Sequence, residues 1–324
     1  MVIFYRFYPF KVYTFRLRTY KMKVTRHCKK AYLLAAWTFF SLYFPVDAQV
    51  AANPLTLRGI YTHSFISAIN GQPYQITIAL PPGYSSTDTM QYKVLYILDG
   101  DPDLPLAALI QRDMSYGHEV PDMIMVGIGY QVTDFLASRP FRTLDYTPTH
   151  APKIDSIMTT NHHLKMISGG ADNFLRVIKE EIVPFIDQTY STNRDRALAG
   201  HSFGGLFVAY ALFHQPDLFS RYLISSPSLD WDDGEIFREE TQFYHSAHTP
   251  HSANIFICGG SLEPDPMIPD IEKLKALLEK RNYSGWQVSK QIFINETHLS
   301  VLPFAISRGL RAIYFSEGPH FQEH

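Results

Sequence analysis

One stretch of the chain, Gly200-His201-Ser202-Phe203-Gly204, has residue types and spacing that could do covalent chemistry. It matches G-x-S-x-G. The glycines permit a turn too tight for larger side chains, and the turn lifts a serine hydroxyl to the mouth of a sheet. Five such residues recur by chance, and a glycine-lined packing corner has the same spelling. Context favours the chemical reading: the β-type run "RALAGHS" leads in, and the helical run "GLFVAYALFHQP" follows at once. A nucleophilic serine also needs a base, an orienting acid and two N–H donors for the developing oxyanion. In strand-turn-helix serine sites of this pattern, the acid and then the histidine follow the serine in the chain.

His298 fits the base. It lies just past the last strand-like run, in "KQIFINETH", whereas His245, His248 and His251 lie in a polar connection and His201 reads as structural. Neutral imidazole can take the serine proton and return it to the leaving group near pH 7. The acid should follow the preceding strand, in "GGSLEPDPMIPD", where Glu263 is the first choice and Asp265 the alternative. Asp270 is farther off, and Glu296 is too close in sequence to His298. The backbone N–H of Phe203 would be one oxyanion donor. The other would be that of Asp101, behind "VLYILDG", where Asp99-Gly100 allows a sharp turn.

The elements that must position these residues are short apolar runs separated by helical patterns. "THSFISAI" and "YQITIALPPGY", joined by "NGQP", predict an antiparallel hairpin. "KVLYILDG", "MIMVGIGY", "RALAGHS", "RYLISSPS", "NIFICGG" and "KQIFINETH" read as strands buried on both faces. Between them, "ADNFLRVIKEEIVPFIDQTY", "GLFVAYALFHQP", "PDIEKLKALLEKRN" and "SVLPFAISRGLRAIYF" read as helices. The alternation predicts an α/β fold with a doubly wound, mostly parallel sheet and an antiparallel hairpin at its start.

The first 48 residues differ from the rest. From Met22, "MKVTRHCKK" is a basic n-region, "AYLLAAWTFFSLYF" an apolar h-region, and Ala48 a cleavage point. The expectation is an extension plus signal peptide over 1–48 and one domain over 49–324, exported to the periplasm or beyond. No stable membrane association is expected after cleavage. Removing 1–48 takes nine of 29 basic and one of 31 acidic residues, which leaves a formal charge of −10. So acidic a body argues against a nucleic-acid partner. Cys258 is then the one cysteine of the exported chain, in an apolar run, and reads as a buried inert thiol.

Eight blocks in order widen the picture: "YKVLYILDGD", "VGIGY", "RTLDYTPT", "GGADNFLRVIKEEIVPFID", "GHSFGGLFVAYALF", "SSPSLDWDD", "GGSLE" and "ETHLSVLPFAISRGL". Over residues 55 to 315 the chain resembles the Putative esterase (esterase D-like) family of α/β-hydrolases, nearest the bacterial siderophore esterases of enterobactin/salmochelin type. The resemblance implies an α/β-hydrolase fold and a serine esterase working through an acyl-enzyme on a small-molecule ester, with no cofactor or metal. It carries Ser202 and His298 over as nucleophile and base, and Asp101 and Phe203 as oxyanion donors. The acid varies among relatives. An acyltransferase on the same machinery, or a non-catalytic binder of the same fold, are the rival expectations.

The block Arg142-Thr-Leu-Asp145-Tyr146-Thr-Pro148 should border the site. Arg142 is expected either to clamp an anionic oxygen of the substrate, with Tyr146 beside it, or to pair with Asp145 and hold the loop. Residues 147–171 have no clear periodicity and read as a lid or binding loop carrying His150, Lys153, His162, His163 and Lys165. The paired histidines lack further ligands at helical spacing, so a solvated role is expected. Trp231 is expected as an aromatic wall near the serine or as a core residue.

Overall fold

The computed structural model describes residues 59–87, 89–132, 134–246 and 251–314, and the leader expected over 1–48 lies outside them. All described elements belong to one compact unit, Leu57–His324. Eight strands form a single sheet in the order β1-β2-β4-β3-β5-β6-β7-β8. They are β1 (Ile60–Ile66), β2 (Pro73–Ala79), β3 (Tyr92–Leu98), β4 (Met123–Tyr130), β5 (Thr192–His201), β6 (Arg221–Ser225), β7 (Ala253–Gly260) and β8 (Trp286–Phe293). The first two pair antiparallel as the Asn70-Gly71 turn predicts, and β2 also runs antiparallel to β4. All remaining pairs are parallel.

Helices cover both faces. On one side lie α1 (Gly100–Tyr116) and the last helix, α9 (Leu302–Tyr314). On the other are α4 (Ala171–Val177), α6 (Phe203–His214) and α8 (Met267–Arg281), with much of the remaining helical layer. The pleat of β3 explains how one apolar run serves both: Leu95 and Ile97 join the α1/α9 core, while Val94, Tyr96 and Leu98 join the larger one. Strand β8 departs from the expected pattern. It is an edge strand whose burial alternates, and it starts at Trp286, ahead of the run that announces it.

The 171–190 pattern is helical but not one α-helix. A π turn, Ile178–Ile182, separates α4 from α5 (Val183–Thr189). Pro184 has no N–H to return to the carbonyl four residues back, so the ladder re-registers ahead of it. The expected loop at 147–171 contains a helix, α3 (Pro152–His162). Asp155 is its one buried residue; Ile154 and Met158 are only partly covered against the core, and Ile157 is exposed. Helices α2 (Phe135–Tyr146) and α7 (Trp231–His245) were likewise not announced by periodicity. Proline lies inside α2, and α7 opens with three left-handed residues, Asp232, Asp233 and Gly234. Among the described residues no helix is long and apolar enough to cross a membrane.

From β3 the chain crosses through α1 to β4 on one side, and β5 then adds on the other side of β3. This reversal opens a crevice at the C-terminal ends of β3 and β5, where doubly wound sheets bind ligands. Asp99 directly follows one of these strands and Ser202 the other.

Candidate active site

Ser202 sits between β5 and α6 with φ 60 and ψ −121, a backbone conformation that L-residues rarely adopt. Several contacts hold it there. Its N–H donates to the Ser225 carbonyl at 3.0 Å, and its own carbonyl accepts from the N–H of Leu206 at 3.0 Å and of Ser228 at 3.2 Å. Gly200 leaves the room: a Cβ there would lie 2.4 Å from the Gly204 carbonyl oxygen. The N–H groups of Phe203 and Asp101 both fall in the first turn of a helix, α6 and α1, where helical geometry supplies no acceptor. These are the orphan donors that an anion can use. The Asp101 side chain turns away from the serine and accepts from Gln75 at 2.7 Å.

His298 follows β8 in the short turn before α9. Its Nδ1 lies 2.7 Å from Oε2 of Glu263, whose side chain is 0% exposed. The other oxygen, Oε1, accepts from the Ser226 hydroxyl at 2.5 Å and from the N–H of Gly260 at 3.4 Å. Burial pushes the Glu263 carboxyl up, but the hydrogen bonds from His298 and Ser226 outweigh it, and the group stays ionised below the usual carboxylate range. Asp265 is exposed on the same loop and is not the carboxylate that meets His298. His201 packs its ring 4.6 Å from that of His298 and hydrogen-bonds Ser225 through Nδ1 at 3.1 Å. Burial, with the charge of His298 and others nearby, lowers its pKa to about 3, so it stays neutral.

Ser202, His201, Phe203 and His298 line one cleft of about 460 Å³. Its apolar walls are Phe135, Met158, Leu299 and Leu302; its charged groups are Asp99, Asp103, Arg139 and Arg142. Burial and the neighbouring charge of Asp99 push the Asp103 carboxyl up to about 8, against the pull of Arg142. Arg139 lies against the His162 ring at 3.0 Å from Nε2. Of the loop residues expected to form a basic set, only His162 reaches the cleft. Arg142 does not pair with Asp145. It donates through Nε and Nη2 to both oxygens of Asp99, at 2.9 and 2.8 Å. Asp145 is instead buried, accepting from the hydroxyls of Tyr74 and Tyr130 at 2.7 and 3.1 Å.

Two expected substrate contacts lie behind the cleft wall. Tyr146 is 0% exposed, and its hydroxyl accepts from the Asp99 N–H at 3.0 Å. Trp231 belongs to the core, stacking edge-on against Phe203 at 5.4 Å with its indole N–H on Thr149. Sequence neighbourhood puts both rings beside the serine without saying which side of a wall they occupy, and for Trp231 the core alternative is the one that holds. The contacts of Ser226 with Glu263 and of Asp99 with Arg142 carry no sequence signal, because the partners lie 37 and 43 residues away. Cys258 is buried, and burial raises its thiol to about 12. No group of three or more His, Cys, Asp or Glu that could hold a metal occurs among the described residues.

A doubly wound sheet with a strained serine turn and a histidine–carboxylate pair at its switch point defines an α/β-hydrolase. Comparison with known proteins agrees: the model of the family described as Putative esterase matches residues 67–293, and the chain belongs to that family. It is 30% identical over 282 residues to the ferri-bacillibactin esterase BesA of Bacillus subtilis, covering 83% of this chain and 94% of that protein. To the siderophore enterobactin esterase of Emericella nidulans it is 32% identical over 210 residues, covering 62% and 69%. The crystal structure of the BES protein from Bacillus cereus superposes with a TM-score of 0.73 at 27% identity, covering 82% of this chain and 99% of that one. The protein is a carboxylic ester hydrolase.

Proposed function

We propose that the protein cleaves its ester through an acyl-enzyme on Ser202. The observation that carries this reading is the buried Glu263 carboxylate held 2.7 Å from Nδ1 of His298, in the cleft that Ser202 also lines. With Nδ1–H tied to the carboxylate, Nε2 is the free acceptor. Ser202 Oγ attacks the carbonyl carbon and passes its proton to Nε2. The N–H groups of Phe203 and Asp101 hold the oxyanion. The C–O bond breaks, and the proton goes to the departing alkoxide. Water, deprotonated by the same imidazole, then releases the acid. Glu263 is the acid of the triad, ahead of Asp265.

The substrate is a small-molecule acyl ester of siderophore type. The names of the relatives and the apolar, aromatic-rimmed cleft support this reading. Replacing Ser202 by Ala is expected to lower kcat for p-nitrophenyl butyrate and for a cyclic trilactone by at least ~10³-fold without unfolding the chain. Turnover close to that of the parent chain would refute the assignment.

A further inference from the structure

Arg142 has the residue type of a substrate clamp, but the Nε/Nη2 edge of its guanidinium is already engaged. Nε and Nη2 meet the two carboxylate oxygens of Asp99, and only 12% of the Arg142 side chain and 7% of that of Asp99 is exposed. A bidentate pair fixes the planes of both groups as well as their distance. Asp99 is the residue whose orientation matters here. It follows β3 and caps the start of α1 with φ 51 and ψ 44, a left-handed conformation that aspartate tolerates but does not prefer.

Helix α2 grips this residue twice. The Tyr146 hydroxyl accepts from its backbone N–H at 3.0 Å, and Arg142, one helical turn earlier on the same face, takes its side chain. On the opposite side the turn has no slack, since a Cβ on Gly100 would lie 2.4 Å from the backbone carbon of Gly127 in β4. The turn is thus pinned between β4 and α2, two residues before the N–H of Asp101. The same guanidinium also reaches the other half of the site. Its carbon lies 5.6 Å from the centre of the Phe203 ring, with the rings of Phe135 and Tyr146 at 5.5 and 5.4 Å.

The geometry points to Arg142 as a positioning residue of the oxyanion hole: through Asp99 and Phe203 it holds the two donor-bearing segments in register across from Ser202. This rests on the oxyanion assignment made above. Donors of this kind act only when aimed at the point where charge develops, so a small rotation of the Asp99 turn matters more than its lost contact energy. Lysine keeps the charge but has no fork to set the carboxylate plane.

The test uses the Arg142→Lys and Asp99→Asn variants with p-nitrophenyl acetate, whose acetyl group offers nothing for a guanidinium to clamp. In each variant kcat is expected to fall ~10- to 100-fold with KM within about twofold. A boronic acid, which adds to the serine as a tetrahedral anion, should lose affinity by a similar factor. The double variant should be no worse than the worse single one, because both remove the same link. Urea unfolding checks that each variant folds; should Arg142→Lys not fold, Asp99→Asn carries the test alone. A kcat on acetate within twofold of the parent chain, with KM rising only for larger esters, would overturn the proposal and make Arg142 a substrate clamp. That outcome leaves the esterase reading intact, since only activity surviving in Ser202→Ala removes that.

Discussion

Glu263 is surrounded on every side, and that gives its role a measurable shape. One oxygen faces His298 and the other accepts from Ser226 and Gly260. Glu263→Gln should lower kcat by ~10²- to 10⁴-fold, because an amide can neither fix the imidazole tautomer nor stabilise its protonated form. Ser226→Ala removes one charge-assisted hydrogen bond of about 1–2 kcal/mol and should lower kcat roughly tenfold, with little change in KM. The pH dependence of stability follows from the lowered pKa of Glu263. Its contribution is present above the ordinary carboxylate value of 4.5 and is lost as pH falls through the lower folded value. Urea midpoints of the parent chain and Glu263→Gln should therefore differ at pH 7 and converge on acidification. A gap that stays constant down to pH 3 would contradict that account.

At the scale of elements, the serine turn is a packing problem between β5, α6 and the end of β6, and its two motif glycines are not equivalent. A Cβ on Gly200 would meet the Gly204 carbonyl at 2.4 Å, backbone against backbone. A Cβ on Gly204 would meet nothing nearer than Leu98 at 3.5 Å, an ordinary contact. Gly200→Ala should cost about 2 kcal/mol or more and lower kcat ~100-fold, because the turn has to open. Gly204→Ala should be close to neutral in both, or slightly stabilising, since alanine suits the first turn of α6 better than glycine does. Thermal midpoints and p-nitrophenyl ester kinetics on the two variants decide it, and equal damage from both would show that sterics is not the constraint. The contrast is invisible in G-x-S-x-G, where both glycines carry the same weight.

Over the whole molecule, charge bears on which ester fits. Asp99 matches Arg142, and Asp103 holds its proton up to about pH 8, so Arg139 is the main cationic group left in the cleft. Lys153 and Lys165, expected to add to it, are not among the cleft-lining residues. The uncompensated charge of the cleft is then positive, and a carboxylate-bearing aryl ester should be turned over with a kcat/KM about tenfold above that of its neutral analogue. The strongly anionic ferric complex of a trilactone should likewise be preferred to the metal-free trilactone. Equal rates for the charged and neutral members of either pair would show that the cleft does not discriminate by charge.

Much of this architecture is legible from the chain alone because its signals are local. The apolar runs set most of the strands, the Asn70-Gly71 turn set the hairpin, and the position of His298 just past a strand marked it out from the other histidines. The choice of Glu263 over Asp265 also rests on local order, first acid of the loop against second, and the carboxylate facing His298 is the first. Helix α3 is hard to read because its apolar contacts are a single pair one turn apart, Ile154 and Met158, only partly buried against the core, too short a pattern for periodicity to register. What only the tertiary structure decided are pairings across the fold: Arg142 with Asp99 rather than Asp145, Ser226 beneath Glu263, Tyr146 and Trp231 behind the wall. Each depends on which strands and helices become neighbours in the folded sheet, and no spacing within a single segment encodes that choice.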